Sequence, residues 1–249
     1  MQLLDSVLHH GVEGASLRTL AIAVDLSKPT AHRLLTGLRH AGLIDYDPIA
    51  RLFHPAFKLV RMGESAGRRF DVIKLAGPAL KRLAQETGDT VYLTIRSGDV
   101  MVCVARELGP FPIRTLTLDV GDVRPLGLGS NGLTLLAALP DSEVDRLLKV
   151  HRVALRAYPK LDAFTIRELI ERARADGLAV NEGLMLAEMS AIAMGVRGPA
   201  GTVDASISIA AITSRMLRPR RDTVARLLRD EVVALERLMR PGVDARKAA

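Results

Sequence analysis

The sequence predicts an α+β protein of two domains, a small helical module with a short strand pair at the N-terminus and a larger domain mixing helices and strands. Three observations carry this. The length, 249 residues, exceeds what one ordinary core needs and accommodates two. Helical apolar spacing runs through "LRTLAIAVDLSKPTAHRLLTGLRH", whereas longer alternating runs such as "DVMVCVAR" come only later. Between them lies "FKLVRMGESAGRRFD", a linker helix weakened at Gly63 and Gly67, with Arg68 and Arg69 facing solvent or DNA. The expected boundaries are 1–58, 59–69 and 70–249.

Composition narrows the class. Apolar residues are 48% and charged residues 25%, as in a soluble globular protein. Aromatics are only 3% and tryptophan is absent, so the cores must be built from Leu, Ile, Val, Ala and Met. No stretch approaches the roughly 20 apolar residues of a membrane span, and "MQLLDSVLHHGVEG" lacks the pattern of a signal peptide. A cytoplasmic protein with no membrane partner is expected. The single cysteine, Cys103, sits in the alternating "DVMVCVAR" and reads as a packed small hydrophobe rather than a nucleophile. The net charge of +7 favours polyanionic partners without selecting one.

The N-terminal stretch is more specific. Ser16 can cap a short helix whose apolar positions are Leu17, Leu20, Ala21 and Val24. Asp25 follows as a turn residue able to take a left-handed conformation. Ser27 caps a second helix with Pro29 in its first turn, a buried stripe of Ala31, Leu34, Leu35 and Leu38, and Gly42 at its end. Ser27, Lys28, Thr30, His32, Arg33, Thr36 and Arg39 remain outward, all donors and none acidic. "LIDYD" and "LFHPAF" then read as two strands joined by a turn carrying Arg51. A helix-turn-helix followed by such a hairpin is a winged helix. Its second helix would enter the major groove of double-stranded operator DNA, with Arg51 or His54 approaching phosphate or the minor groove. Winged helices also serve as protein-contact modules, but the uniformly basic and hydroxylic face favours DNA.

With these residues the chain resembles the isocitrate-lyase-regulator (IclR) family of bacterial transcription factors. "LSKPTAHRLLTGLRHAGLIDYD" is similar to the family's recognition helix and wing. "DVIKLAGPALKRLAQETGDTVYLTIRSGDVMVCVAR" resembles its entry into an effector domain, and "VRPLGLGSNGLTLLAALP" its next loop and helix. The resemblance implies a GAF-like mixed α/β effector-binding domain, assembly as a homodimer or tetramer, and a response to small organic acids, often aromatic.

Gly127, Gly129 and Gly132 meet the dinucleotide pattern G-x-G-x-x-G. The pattern needs a strand directly before it, yet the expected strand "RTLTLDV" ends well short of Gly127, and Pro125 interrupts the approach. Past the next helix comes "PDSEVDRLLKVH", a second helix where a dinucleotide fold needs a strand ending in an acid. What survives is a glycine-rich turn opening a helix. The amides of Ser130, Asn131 and Gly132 either receive an anion or are satisfied by Ser130 as a cap. The resemblance favours the anion, because this loop contributes to the effector pocket of relatives.

"MSAIAMGV" and "TVDASISIA" read as strands joined at "RGPAG", followed by a helix from about Arg221 to Met239, which together suggest a mixed sheet flanked by helices. By resemblance, Glu182, Ala191 and Ser208 fall at ligand-holding positions. Where relatives carry several acids followed by a glycine and a cysteine, this chain reads Gly183, Leu184, Met185, Glu188 and Ala191. Met185, Met189 and Met194 are core or pocket wall. Either the effector is aromatic or apolar, or the pocket is partly filled.

No catalytic or metal constellation emerges. His9, His10, His32, His40, His54 and His151 lack partners at ligand spacing, Ser130, Ser206 and Ser208 lack a nucleophile motif, and Asp141 and Glu143 read as a helix start. No metal and no cofactor are expected. The sequence therefore reads as a ligand-responsive regulator of a metabolic or catabolic operon and not as an enzyme. The rival is a metabolite-binding protein or enzyme carrying a degenerate winged helix.

Overall fold

The structure is a computed structural model that describes residues 1–67 and 71–240. Arg68 and Arg69 therefore lie outside the described residues. The chain divides into two compact units, Met1–Phe70 and Asp71–Ala249.

The first unit is a winged helix. Helices α1 (Gln2–His10), α2 (Leu17–Ala23) and α3 (Lys28–His40) pack against a three-stranded sheet of order β1-β3-β2, with β1 Ala15–Ser16, β2 Ile44–Asp47 and β3 Leu52–Pro55. Helix α4 (Phe57–Gly67) follows. Ser16 Oγ accepts from the Thr19 amide at 3.1 Å and Ser27 Oγ from the Thr30 amide at 3.4 Å, so both helices start on hydroxyl caps. Asp25 turns between them at φ 52, a left-handed conformation that aspartate tolerates. Leu20, Ala21, Ala31, Leu35, Ile44 and Phe53 form the core, completed by Leu3, Leu4 and Val7 of α1. Neither α1 nor β1 was anticipated, since a two-residue strand has no periodicity to read. Leu34 is a correction: it is 45% exposed, because the buried stripe centres on Ala31 and Leu35 and leaves it at the edge.

In the second unit, six strands lie in the order β6-β5-β4-β9-β8-β7. These are β4 (Thr90–Ser97), β5 (Val100–Glu107), β6 (Val123–Pro125), β7 (Ala179–Glu182), β8 (Met189–Arg197) and β9 (Val203–Ile212). Two three-stranded meanders join where β4 meets β9. Every ladder is antiparallel, so the mixed sheet expected from the sequence is not found. The helical excursion between the meanders runs from one sheet edge to the other, so it brings no parallel strand alongside. It comprises α6 (Gly129–Ala137), α7 (Asp141–Val150), α8 (Arg152–Leu155) and α9 (Ala163–Asp176).

Alternation along β9 separates the two faces. Ile207, Ile209 and Ala211 enter a core with α5 (Asp71–Thr87) and α10 (Arg220–Leu238), together with Leu80, Leu83 and Leu228. Ser206, Ser208 and Ala210 face the other way, toward α6. This second face is small and polar, which leaves room above it.

"RTLTLDV" forms no strand. Its alternation is genuine, but the edge of β5 is taken by β6, so the segment crosses the sheet as an irregular strap. Side chains replace the missing ladder. Thr115 Oγ1 donates to the Ala210 carbonyl at 2.9 Å, the Thr117 amide donates to Tyr92 Oη at 3.2 Å, and Tyr92 Oη donates to the Thr115 carbonyl.

Candidate DNA-binding face and effector cavity

Helix α3 presents its donors to solvent. Ser27, Lys28, His32, Arg33 and Arg39 are exposed, and Thr30 and Thr36 are half-buried. At roughly 100° per residue, Arg33 stands on the far side of the helix from Ala31 and Leu35, at the crest of the outer face. Lys28, His32, Thr36 and Arg39 line a groove shared with Arg51 of the wing and with Arg18 of α2, a cation the sequence reading missed. The groove has no acidic lining residue. Two of the hydroxyls have internal work: Thr30 Oγ1 bonds Ser27 Oγ at 2.9 Å, and Thr36 Oγ1 donates to the His32 carbonyl at 2.8 Å.

The wing tip is built around Asp47. Its carboxylate accepts from the Ile49 amide at 2.8 Å and the Ala50 amide at 3.0 Å, and these bonds, Ala50 foremost, hold its pKa below the usual range. Arg51 follows at φ 58, exposed at the tip. His54 is not at the tip. Its ring packs on Gly14, where a Cβ would come within 2.3 Å of it, which leaves Arg51 as the wing's outward cation.

In the second unit a cavity of about 330 Å³ lies on the small, polar face of the sheet, and all six strands contribute to its lining. Ser130 and Asn131 of α6, Ala191 and Ser208 line it, as do Met185 and Met189. The N-cap position of α6 is Leu128, which offers no side-chain acceptor, so Ser130 is not a cap. A helix beginning at Gly129 leaves the amides of Gly129, Ser130 and Asn131 without helical partners. Ser130 and Asn131 of the expected set are among them, and Gly129 joins them. Asn131 adds a side-chain tie to the sheet, its Nδ2 donating to Ser208 Oγ at 2.9 Å while Ser206 Oγ donates to its Oδ1 at 2.7 Å.

Two expected residues lie elsewhere. Gly132 packs on the preceding turn, where a Cβ would fall 2.9 Å from the Gly127 amide nitrogen. Glu182 is exposed and pairs with Arg221 at 3.0 Å, which ties the end of β7 to α10. The residue that does face the cavity from β7 is its neighbour Asn181, because side chains alternate along a strand. Asn181 is 7% exposed. Its Oδ1 accepts from the Leu184 amide at 3.2 Å, while its Nδ2 has no partner among the described residues. A Cβ on Gly129 would sit 3.9 Å from that nitrogen and 3.3 Å from Met185 Sδ. Unspent amide donors and a thioether thus converge on the start of α6. Leu184 and Met194 belong to core packing, and Glu188 is exposed.

No aspartate or glutamate lines the cavity, whereas Arg114 and Arg124 do. Burial pushes the Tyr92 phenol up, so it stays neutral as it holds the strap. Cys103, on β5, is buried, and burial foremost, with Asp122 second, raises its thiol to about 11. Such a thiol is a packed side chain rather than a nucleophile.

The dinucleotide question also meets a correction. The short strand β6 does lead into Gly127, contrary to expectation. It is antiparallel to its only neighbour in the sheet, β5, and α6 is followed by α7 rather than a strand, so a doubly wound nucleotide fold is absent from the described residues. The described residues also hold no cluster of three potential metal ligands, and no helix among them is long and apolar enough to cross a membrane.

A winged helix with a basic outer face, carried on one chain with a ligand cavity, defines a ligand-responsive DNA-binding transcriptional regulator. Residues 65–237 match the model of the bacterial transcriptional regulator IclR C-terminal family, and residues 1–48 match the IclR helix-turn-helix domain. The chain belongs to the IclR family. It is 26% identical over 217 residues to the HTH-type transcriptional repressor AllR of Klebsiella pneumoniae, covering 87% of this chain and 79% of that protein. An IclR transcriptional regulator from Alicyclobacillus acidocaldarius superposes with a TM-score of 0.76 at 25% identity, over 94% and 96% of the two chains. An IclR homologue from Microbacterium hydrocarbonoxydans, complexed with 4-hydroxybenzoate, has a TM-score of 0.76 at 20% identity, over 95% and 97%.

Proposed function

We propose that the cavity takes a small organic acid with an aromatic or apolar body, and that its occupancy changes the affinity of the winged helix for the operator of a metabolic or catabolic operon. The observation that carries this reading is the uncapped start of α6, which opens into a cavity without acidic lining. A carboxylate would accept from the amides of Gly129, Ser130 and Asn131, favoured by the helix dipole, with Asn181 Nδ2 and Ser208 Oγ as side-chain donors. Met185, Met189 and Ala191 supply apolar walls beside it.

Residues 1–58 serve as the DNA-binding domain, 59–69 as the connection and 70–249 as the effector domain. One winged helix makes few base contacts, so a homodimer or tetramer on a roughly palindromic site is the assembly we propose. The similar AllR proteins are named repressors, which makes repression the sign we favour. Thermal shift with benzoates, including 4-hydroxybenzoate, and with pyruvate and glyoxylate tests the ligand class. Stabilisation by the small keto acids alone would refute the apolar-wall reading.

A further inference from the structure

We propose that the effector carries two anionic groups and that Arg124 receives the second. The inference rests on the acid-binding reading of the cavity and narrows its ligand. Arg124 is on β6, at the sheet edge opposite β7, and its half-buried side chain lines the cavity. The guanidinium donates to the Thr117 carbonyl of the strap. A guanidinium has five N–H donors, and among the described residues Arg124 makes no ion pair. Arg114, which lines the cavity from the strap, is likewise without a carboxylate among them. A guanidinium turned into a cavity with no acidic lining presents a fork suited to a carboxylate.

The hydrogen bonds show what holds each of the two ends. Arg124 reaches Thr117, the Thr117 amide rests on Tyr92 Oη, and Tyr92 is the cross-strand partner of Ser208. Ser208 is bonded to Asn131 in the first turn of α6. Arg124, tied to the strap, and the start of α6, tied to β9, thus stand on separate walls of one cavity, and a ligand that meets both needs its two anions at opposite ends. A para-disubstituted aromatic diacid or a six-carbon α,ω-dicarboxylate carries its two anions in that arrangement. A monocarboxylate of equal size leaves Arg124 with only its carbonyl.

Calorimetry on the full chain with matched pairs tests this: terephthalate against 4-methylbenzoate, and adipate against hexanoate. The diacid of each pair is expected to bind about tenfold or more tightly than its monoacid, the effect of one charge-assisted hydrogen bond. Arg124→Met, which keeps an unbranched stem, should abolish that preference and leave the monoacid unchanged. Arg124→Lys, a single charge without the fork, should fall between and guards against a misfolded Met variant. Equal binding of the two members by wild type, or equal losses of both in Arg124→Met, overturns the proposal and leaves Arg124 as a prop for the strap. Binding of monoacids alone refutes only this inference. Binding of neither refutes the acid-binding reading as well.

Discussion

Asn131 Nδ2 donates to Ser208 Oγ at 2.9 Å, and through this bond the first turn of α6 and strand β9 form one continuous wall of the cavity. Asn131 also receives Ser206 Oγ, and all three residues are buried. Asn131→Ala should therefore cost more than the loss of a surface amide. Two buried hydroxyls lose their partner, and a destabilisation of about 1–3 kcal/mol is expected. Chemical denaturation measures it, and a change within error would mean that water replaces the amide at no cost.

Asn181→Asp preserves shape and turns a donor into an anion at the start of α6. The new carboxylate would occupy or repel the position that the ligand's carboxylate needs, so stabilisation by added acid should vanish while the unliganded protein melts near the wild-type temperature. For wild type, ligand at a hundredfold excess over Kd should add roughly 2.7 kcal/mol. Undiminished stabilisation of the variant would move the anion site away from α6.

Arg33→Ala removes the crest of the recognition helix without touching the core. Specific DNA binding should weaken by about 1–3 kcal/mol if the guanidinium reads a guanine edge. If it grips phosphate, the loss should instead be spread over all sequences, with a shallower salt dependence. Anisotropy at two salt concentrations separates these outcomes, and an unchanged affinity would displace the recognition face.

Cys103 supplies a pH test. Its thiol is raised to about 11 in the folded chain, while an unfolded thiol ionises near 8.5. The contribution of the neutral thiol to stability is thus complete below that lower value and is lost as pH rises toward the upper one. Wild type should lose more stability than Cys103→Ala between pH 9 and about 11, and a thiol reagent at pH 8 should label the protein only after unfolding. Rapid labelling of the native protein would contradict the packed reading.

Much of the DNA-binding unit was legible because its signals are local: hydroxyl caps at Ser16 and Ser27, a turn at Asp25, and a helical stripe on Ala31 and Leu35. The cavity was legible only in part. Ser130, Asn131, Ala191 and Ser208 could be named from the turn, the strand and the resemblance, but choosing Asn181 over Glu182 needed the phase of a four-residue strand, which periodicity cannot set. The strap at 114–118 misled the reading because alternation marks side-chain faces and not hydrogen-bonded partners. Arg124 carried no signal, since nothing local shows that a strand three residues long ends beneath a strap.

The central claim is that acid binding in the cavity governs DNA binding, and fluorescence anisotropy on the DNA upstream of this chain's own gene tests it most directly. The protein should bind that DNA specifically, and an acid shown by thermal shift to bind should change the affinity by about 5- to 150-fold, the usual range of coupling between two sites. Specific DNA binding that stays constant while the acid saturates the cavity would contradict the account.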